Sequence, residues 1–161
     1  MTTDPAEMLA GPRGAQLRLG LAIKRAEQAM MAAKTEALRE LDLTVPQYAV
    51  LLQLTERSGM SGAQLARGAA VTPQTMAGVL ANLEAKGLVE REQSEVHSKV
   101  LVTRLSEAGR TLVAAADARA VEIESALWTA FEGGERELFR SFLERAAAVL
   151  HGKHRPAPPV G

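Results

Sequence analysis

The chain has no cysteine. Disulfides, thiolate-bound metals and thiol-based peroxide sensing are therefore excluded. Aromatic residues are scarce, with one Trp, one Tyr and three Phe among 161 residues. A core must then be assembled from Leu, Val, Ile, Met and Ala, and abundant Ala and Leu favour helices. Net charge is also absent, 19 basic side chains facing 19 acidic ones. That argues against plain electrostatic adhesion to nucleic acid or a membrane, but leaves room for a local basic patch. No apolar run approaches the roughly 20 residues needed to span a bilayer. The N-terminus lacks the basic and apolar regions of a signal peptide, so the cytoplasm is the expected location.

With 47% hydrophobic and 24% charged residues, the chain is of ordinary soluble globular composition. Its length suits one domain, or one compact domain with an appended helical part. The charge is unevenly spread. Residues 13–41 carry six Lys or Arg against three Glu, whereas residues 106–151 carry five Arg against eight acidic side chains. The longest uncharged run lies between Arg67 and Glu84.

Residues 1–14 show weak patterning and read as a loose lead-in. The spacing of Leu19, Ile23, Met30, Ala37 and Leu41 predicts a long helix over about 15–41. Thr44 and Pro46 open a second helix, and Gly59 closes it. Ser61 and Gln64 form a capping box for a short helix ending near Gly68. Thr72 is then a good N-cap, Pro73 suits the first helical position, and Gly87 is a C-terminal glycine. Between them Met76, Val79, Leu80 and Leu83 form an apolar stripe at helical spacing. Residues 88–105 read as a β-hairpin with a long polar tip. Ser106 caps a long Ala-rich helix running to about Phe131. Gly133–Gly134 break it, and a last amphipathic helix covers about 135–150. The Pro-rich tail, 151–161, is expected to be disordered.

A short helix, a tight turn, a capped helix and a two-stranded ribbon form a winged helix-turn-helix. The expected fold is mainly α with a small β-hairpin wing: a winged helix-turn-helix at 43–105, and a helical dimerisation region at 15–42 and 106–150. In order and spacing, "LTVPQYAVLLQL", "SGAQLARGAAVTPQTMAGVLANLEAKGLVER" and "VLVTRLSEAGR" resemble the MarR family of bacterial transcriptional regulators over about residues 15–150. The resemblance implies a homodimer with interlocked terminal helices, double-stranded DNA as partner, and a recognition helix and wing in each subunit. It also implies a small phenolic or other aromatic effector. Relatives often carry a Thr-Arg pair in mid-helix and an Arg one turn later, where this chain has Ala77, Gly78 and Asn82. Their wing commonly reads Asp, a basic residue, then Arg, where this chain has His97, Ser98 and Lys99.

Projected at about 100° per residue, the helix opened by Thr72 and Pro73 places Gln74, Gly78, Ala81 and Ala85 opposite its apolar stripe, with Thr75 and Asn82 to one side. This face could be merely solvated. A mid-helix Gly, however, costs about 0.5–1 kcal/mol relative to Ala, so a helix kept only for stability would not hold Gly78. Gln74, Thr75 and Asn82 can hydrogen-bond base edges, and small residues such as Ala77 let the backbone approach them. Ser61, Thr72 and Pro73 mark two helix N-termini suited to phosphates. Lys86, Arg91 and Lys99 supply charge, although Lys86 and Arg91 could equally be surface residues pairing Glu84, Glu90 or Glu92. His97 is either a pH-sensitive contact or incidental.

Met30, Tyr48 and Trp128 could line an effector cavity, or be plain core. Leu19, Ile23, Phe139, Phe142, Leu143 and Leu150 are expected at a dimer interface, because amphipathic terminal helices must bury a face. His151 and His154 make a poor zinc site with no third ligand nearby. No Gly-rich phosphate loop, Ser/His/Asp set or inward carboxylate pair is present, so neither an enzyme nor a cofactor is expected. The expected function is a repressor released from a pseudo-palindromic operator by a small effector. The alternatives are a winged-helix protein-interaction module and an effector-independent activator.

Overall fold

The computed structural model describes residues 4–94 and 100–153. The elements are α1 (Pro5–Leu9), α2 (Gly11–Ala15), α3 (Leu19–Arg39), α4 (Val45–Glu56), β1 (Met60–Ser61), α5 (Gly62–Gly68), α6 (Pro73–Ala85), β2 (Val89–Gln93), β3 (Leu101–Leu105), α7 (Glu107–Thr129) and α8 (Gly133–Lys153). The expected class, mainly helical with a small β wing, is the one found. The wing has one strand more than a hairpin. β1 pairs with β3 antiparallel (Met60↔Thr103), giving the order β1-β3-β2. Across β2 and β3, Val89 faces Leu105, Arg91 faces Thr103 and Gln93 faces Leu101.

The three helices around the turn begin where the sequence says they should. Thr44 Oγ1 accepts from the Gln47 N–H while Gln47 Oε1 accepts from the Thr44 N–H, at 3.3 and 2.9 Å. Ser61 and Gln64 repeat this reciprocal box at 3.3 and 2.8 Å. Thr72 Oγ1 accepts from the Thr75 N–H at 3.1 Å, and Pro73 follows in the first turn. Each cap satisfies N–H groups that have no partner inside the helix.

The ends share a device as well. After α3, α5 and α6 the chain turns through a left-handed residue, namely Asp42 (φ 51°), Ala70 (φ 53°) and Gly87 (φ 68°). Each time, the next N–H reaches back to the helix: Leu43 to the Leu38 carbonyl, Val71 to that of Ala66 and Leu88 to that of Leu83. These are Schellman closures, which satisfy carbonyls at the helix end and turn the chain sharply. They make the α5–α6 turn tight and send β2 directly off the end of α6.

The chain divides into two units, Met1–Ile123 and Glu124–Gly161. In the first, Leu38, Val50, Leu51, Leu54, Leu65, Met76, Leu80, Leu83, Val89, Val113 and Ala116 form one buried cluster. At full burial each large side chain contributes about 1.5–3 kcal/mol, so this cluster clamps α6 along its whole inner stripe. The second unit holds the end of α7 and all of α8. There Phe131 and Phe139 stack with centroids 4.9 Å apart, and the Arg136 guanidinium lies 4.4 Å from the centre of the Trp128 ring.

Three expected boundaries are corrected. Residues 5–15, read as lead-in and helix start, form two short helices. Asp4 caps the first through Ala6 (2.9 Å), and Gly14 lets the second fold back, since a Cβ there would lie 2.4 Å from the Leu9 carbonyl carbon. The long helix accordingly starts at Leu19. Gly133 and Gly134 do not break the helix; they begin α8. The break falls at Ala130–Glu132, where the Glu135 carboxylate accepts from the Glu132 N–H at 2.9 Å. A carboxylate in a first turn is favourable against the helix dipole.

Candidate DNA interface

α6 is fixed by its inner stripe: Met76, Leu80 and Leu83 are at most 1% exposed. Its outer residues Gln74, Thr75, Ala77, Gly78, Ala81 and Ala85 are all exposed. A Cβ at Gly78 would meet nothing within 4 Å. Nothing among the described residues, therefore, requires glycine at that position. The Thr75 hydroxyl lies 2.8 Å from that of Thr72, so the cap also holds the Thr75 side chain at the helix entrance. Of the readers expected on this face, Gln74 has the most freedom.

Asn82 is exposed, yet its Oδ1 accepts from Gln47 Nε2 at 2.6 Å. Gln47 is 6% exposed and also closes the α4 cap. Composition and helical spacing gave no sign of this role, because the two residues are far apart in sequence. Arg67, in the last turn of α5, is exposed beside the turn and was likewise not foreseen.

The expected phosphate contacts fare unequally. Ser61 Oγ accepts from the Gln64 N–H and lies 3.1 Å from Gln64 Oε1, so its hydroxyl is occupied inside the fold. Lys86 hydrogen-bonds the Asp42 carbonyl and sits 2.8 Å from the Asp42 carboxylate. Arg91 is 3.8 Å from Glu84, and its Nε is buried without a partner among the described residues. Both cations thus have carboxylate neighbours, as the surface-pair reading allowed, but Lys86 pairs with Asp42 rather than with a glutamate. His97, Ser98 and Lys99 lie outside the described residues, as does His154.

The expected effector residues are divided between the two units. The Tyr48 hydroxyl lies 2.7 Å from Asp117 Oδ1 in the first unit, while Trp128 lines a cleft of about 200 Å³ in the second, with Leu127, Phe131 and Arg140. A larger cleft, about 540 Å³, opens in the first unit between α3, the 42–47 segment and the end of α6. Met31, Thr35, Leu43, Val45, Gln47, Asn82 and Lys86 line it, with neither Met30 nor Tyr48. Leu19 is 79% exposed on α3, and Phe142, Leu143 and Leu150 expose 51%, 40% and 57% on α8. Ile23 is also exposed and Phe139 is half-buried. No helix among the described residues is long and apolar enough to cross a membrane.

The MarR family model matches residues 41–99. The HTH-type transcriptional repressor Rv2887 of Mycobacterium tuberculosis is 32% identical over 127 residues, which are 79% of this chain and 91% of the relative. The crystal structure of Rv2887, in complex with p-aminosalicylic acid, superposes with a TM-score of 0.63, covering 81% of this chain and 98% of that one. The transcriptional repressor CouR, solved on a 23-mer DNA duplex, is 25% identical with a TM-score of 0.76, covering 83% and 94%.

Proposed function

The chain belongs to the MarR family of transcriptional regulators, and on that premise we propose that it is a homodimeric repressor reading a pseudo-palindromic operator with the neutral outer face of α6. The family and these relatives are regulators and not enzymes. The observation that carries the reading is Gly78: an exposed mid-helix glycine with open space around it, on a helix otherwise clamped in place. Such a residue lowers stability for no internal gain. It makes sense where a second molecule must approach the backbone, as a major groove about 12 Å wide does.

Gln74 is the base reader, and Thr75 and Thr72 hold the helix entrance against the DNA backbone. Positive charge comes from Arg67 and from Lys99, which follows β2 in the sequence. The exposed apolar rows on α3 and α8 support a dimer, because rows of that kind are rare on the surface of a soluble monomer. A two-fold dimer sets the half-sites about 10–10.5 bp apart. A small aromatic carboxylate in the 540 Å³ cleft releases the DNA. That volume suits a small organic ligand, and the relative solved with p-aminosalicylic acid supports the ligand class. Release is a shift of population and needs a ligand that favours one state.

Footprinting on the chain's own upstream region tests this. The expected result is one protected pseudo-palindrome, bound with a log–log salt slope of about −0.9 per phosphate contact. The slope should be shallower than for relatives with arginines at positions 78 and 82. Weak, sequence-indifferent binding at low salt would instead favour the protein-interaction module.

A further inference from the structure

Two polar ties cross the floor of the large cleft, and both end on α6. Gln47 donates to Asn82 (2.6 Å), and Lys86, the C-cap of α6, holds the carbonyl and carboxylate of Asp42. Asn82 and Lys86 are one turn apart, so the ties grip the same stretch of helix. The second tie is lopsided. The Lys86 side chain is 28% exposed and that of Asp42 is 93% exposed. The ammonium is sheltered at the cleft wall while its carboxylate stands in water, where ion pairing is weak.

The charges lining the cleft are Arg39, Lys86 and Asp42. Arg39 already meets Glu36 at 2.8 Å. Both side chains of that pair are more than 70% exposed, so Lys86 is the cation sheltered at the cleft wall, where a ligand's charge is screened least. Met31, Leu43, Val45 and Pro46 supply an apolar wall beside it. An anion with a flat apolar body fits both features.

We propose that Lys86 is the residue through which the cleft senses such a ligand. A bound aromatic carboxylate replaces the Asp42 carboxylate at the ammonium. The ion pair between α6 and the 42–47 segment is then broken, which loosens one of the two polar ties that hold α6 to that segment. This rests on the effector reading above and assigns its first contact.

The test titrates p-aminosalicylate and its uncharged amide into the full-length wild type, Lys86→Met and Asp42→Asn. Calorimetry reads binding, and each protein's operator release is compared with its own ligand-free binding. Lys86→Met keeps the packing of the stem and removes the charge. It should weaken the carboxylate at least tenfold, leave the amide unchanged, and abolish release. Asp42→Asn removes the competitor and should tighten the carboxylate several-fold without changing the amide; being exposed, it remains informative if Lys86→Met folds poorly. A purely structural role would shift both ligands alike. If the wild type binds and responds but the two variants behave as it does, this inference fails and the effector reading stands. If the wild type binds no p-aminosalicylate and keeps its DNA, both are overturned.

Discussion

Replacing Gly109 by alanine should cost about 2–3 kcal/mol of stability, near the upper end of ordinary overpacking. A Cβ at Gly109 would lie 2.0 Å from the Leu88 carbonyl oxygen and 3.0 Å from its carbon. The obstacle is backbone, and it cannot yield. Leu88 is held on one side by its own N–H, bonded to the Leu83 carbonyl at 2.9 Å, and on the other by its carbonyl, which accepts from the Ser106 N–H at 3.1 Å. Ser106 is fixed in turn by hydrogen bonds to the Gly87 carbonyl and the Gly109 N–H. This junction joins the end of α6, the start of β2 and the start of α7. For a chain of this size the loss corresponds to a Tm drop of roughly 5–10 °C. Urea unfolding followed by circular dichroism measures it directly. Gly68→Ala is the control. Its Cβ would also come within 2.0 Å of a neighbour, but that neighbour is the side-chain tip of Gln53. A flexible side chain can swing aside, so this variant should change stability by no more than about 0.5 kcal/mol.

The second large effect runs in opposite directions in two assays. Gly78→Glu places a good helix former in open space on α6, so folding stability should rise by about 0.5–1 kcal/mol. The same substitution puts bulk and negative charge on the face assigned to base edges. Operator affinity should fall at least 100-fold, which is about 2.7 kcal/mol. Gly78→Ala should show the stability gain with a smaller binding loss, of roughly tenfold. Thermal unfolding and a quantitative gel shift on the same samples separate the two. Tighter folding with unchanged binding would remove α6 from the interface.

How far these features were legible depends on the range of the interaction behind them. The caps of α4, α5 and α6 could be read because Thr44, Ser61 and Thr72 act on N–H groups only three residues ahead. The end of α6 was legible because a glycine occupies the left-handed position. The ends near Asp42 and Ala70 were placed to within about two residues, but their left-handed turns were not foreseen, since Asp visits that region only occasionally and Ala rarely. β1 is two residues long, too short to carry a periodic signal. It exists because β3 offers it a ladder of hydrogen bonds. The apolar stripe of α6 was read correctly, since Met76, Leu80 and Leu83 repeat at helical spacing. What lies behind the outer face was not. Gln47 carries no signal of its own in the sequence, whereas in the fold it holds Asn82, 35 positions away. Lys86 offered three nearby glutamates as partners and takes Asp42, which the α3 turn delivers.

The central claim is that the uncharged outer face of α6 reads bases, and Gln74 is its polar reader whose side chain makes no hydrogen bond among the described residues, unlike Thr75 and Asn82. The most direct measurement is a set of binding constants for the wild type and Gln74→Ala on the operator and on single-base variants of it. The wild type should show a penalty of about 1–3 kcal/mol at one base pair in each half-site. Gln74→Ala should lose that penalty at that position alone and keep the others. If Gln74→Ala discriminates among the variants as the wild type does, this face does not read the DNA and the account fails.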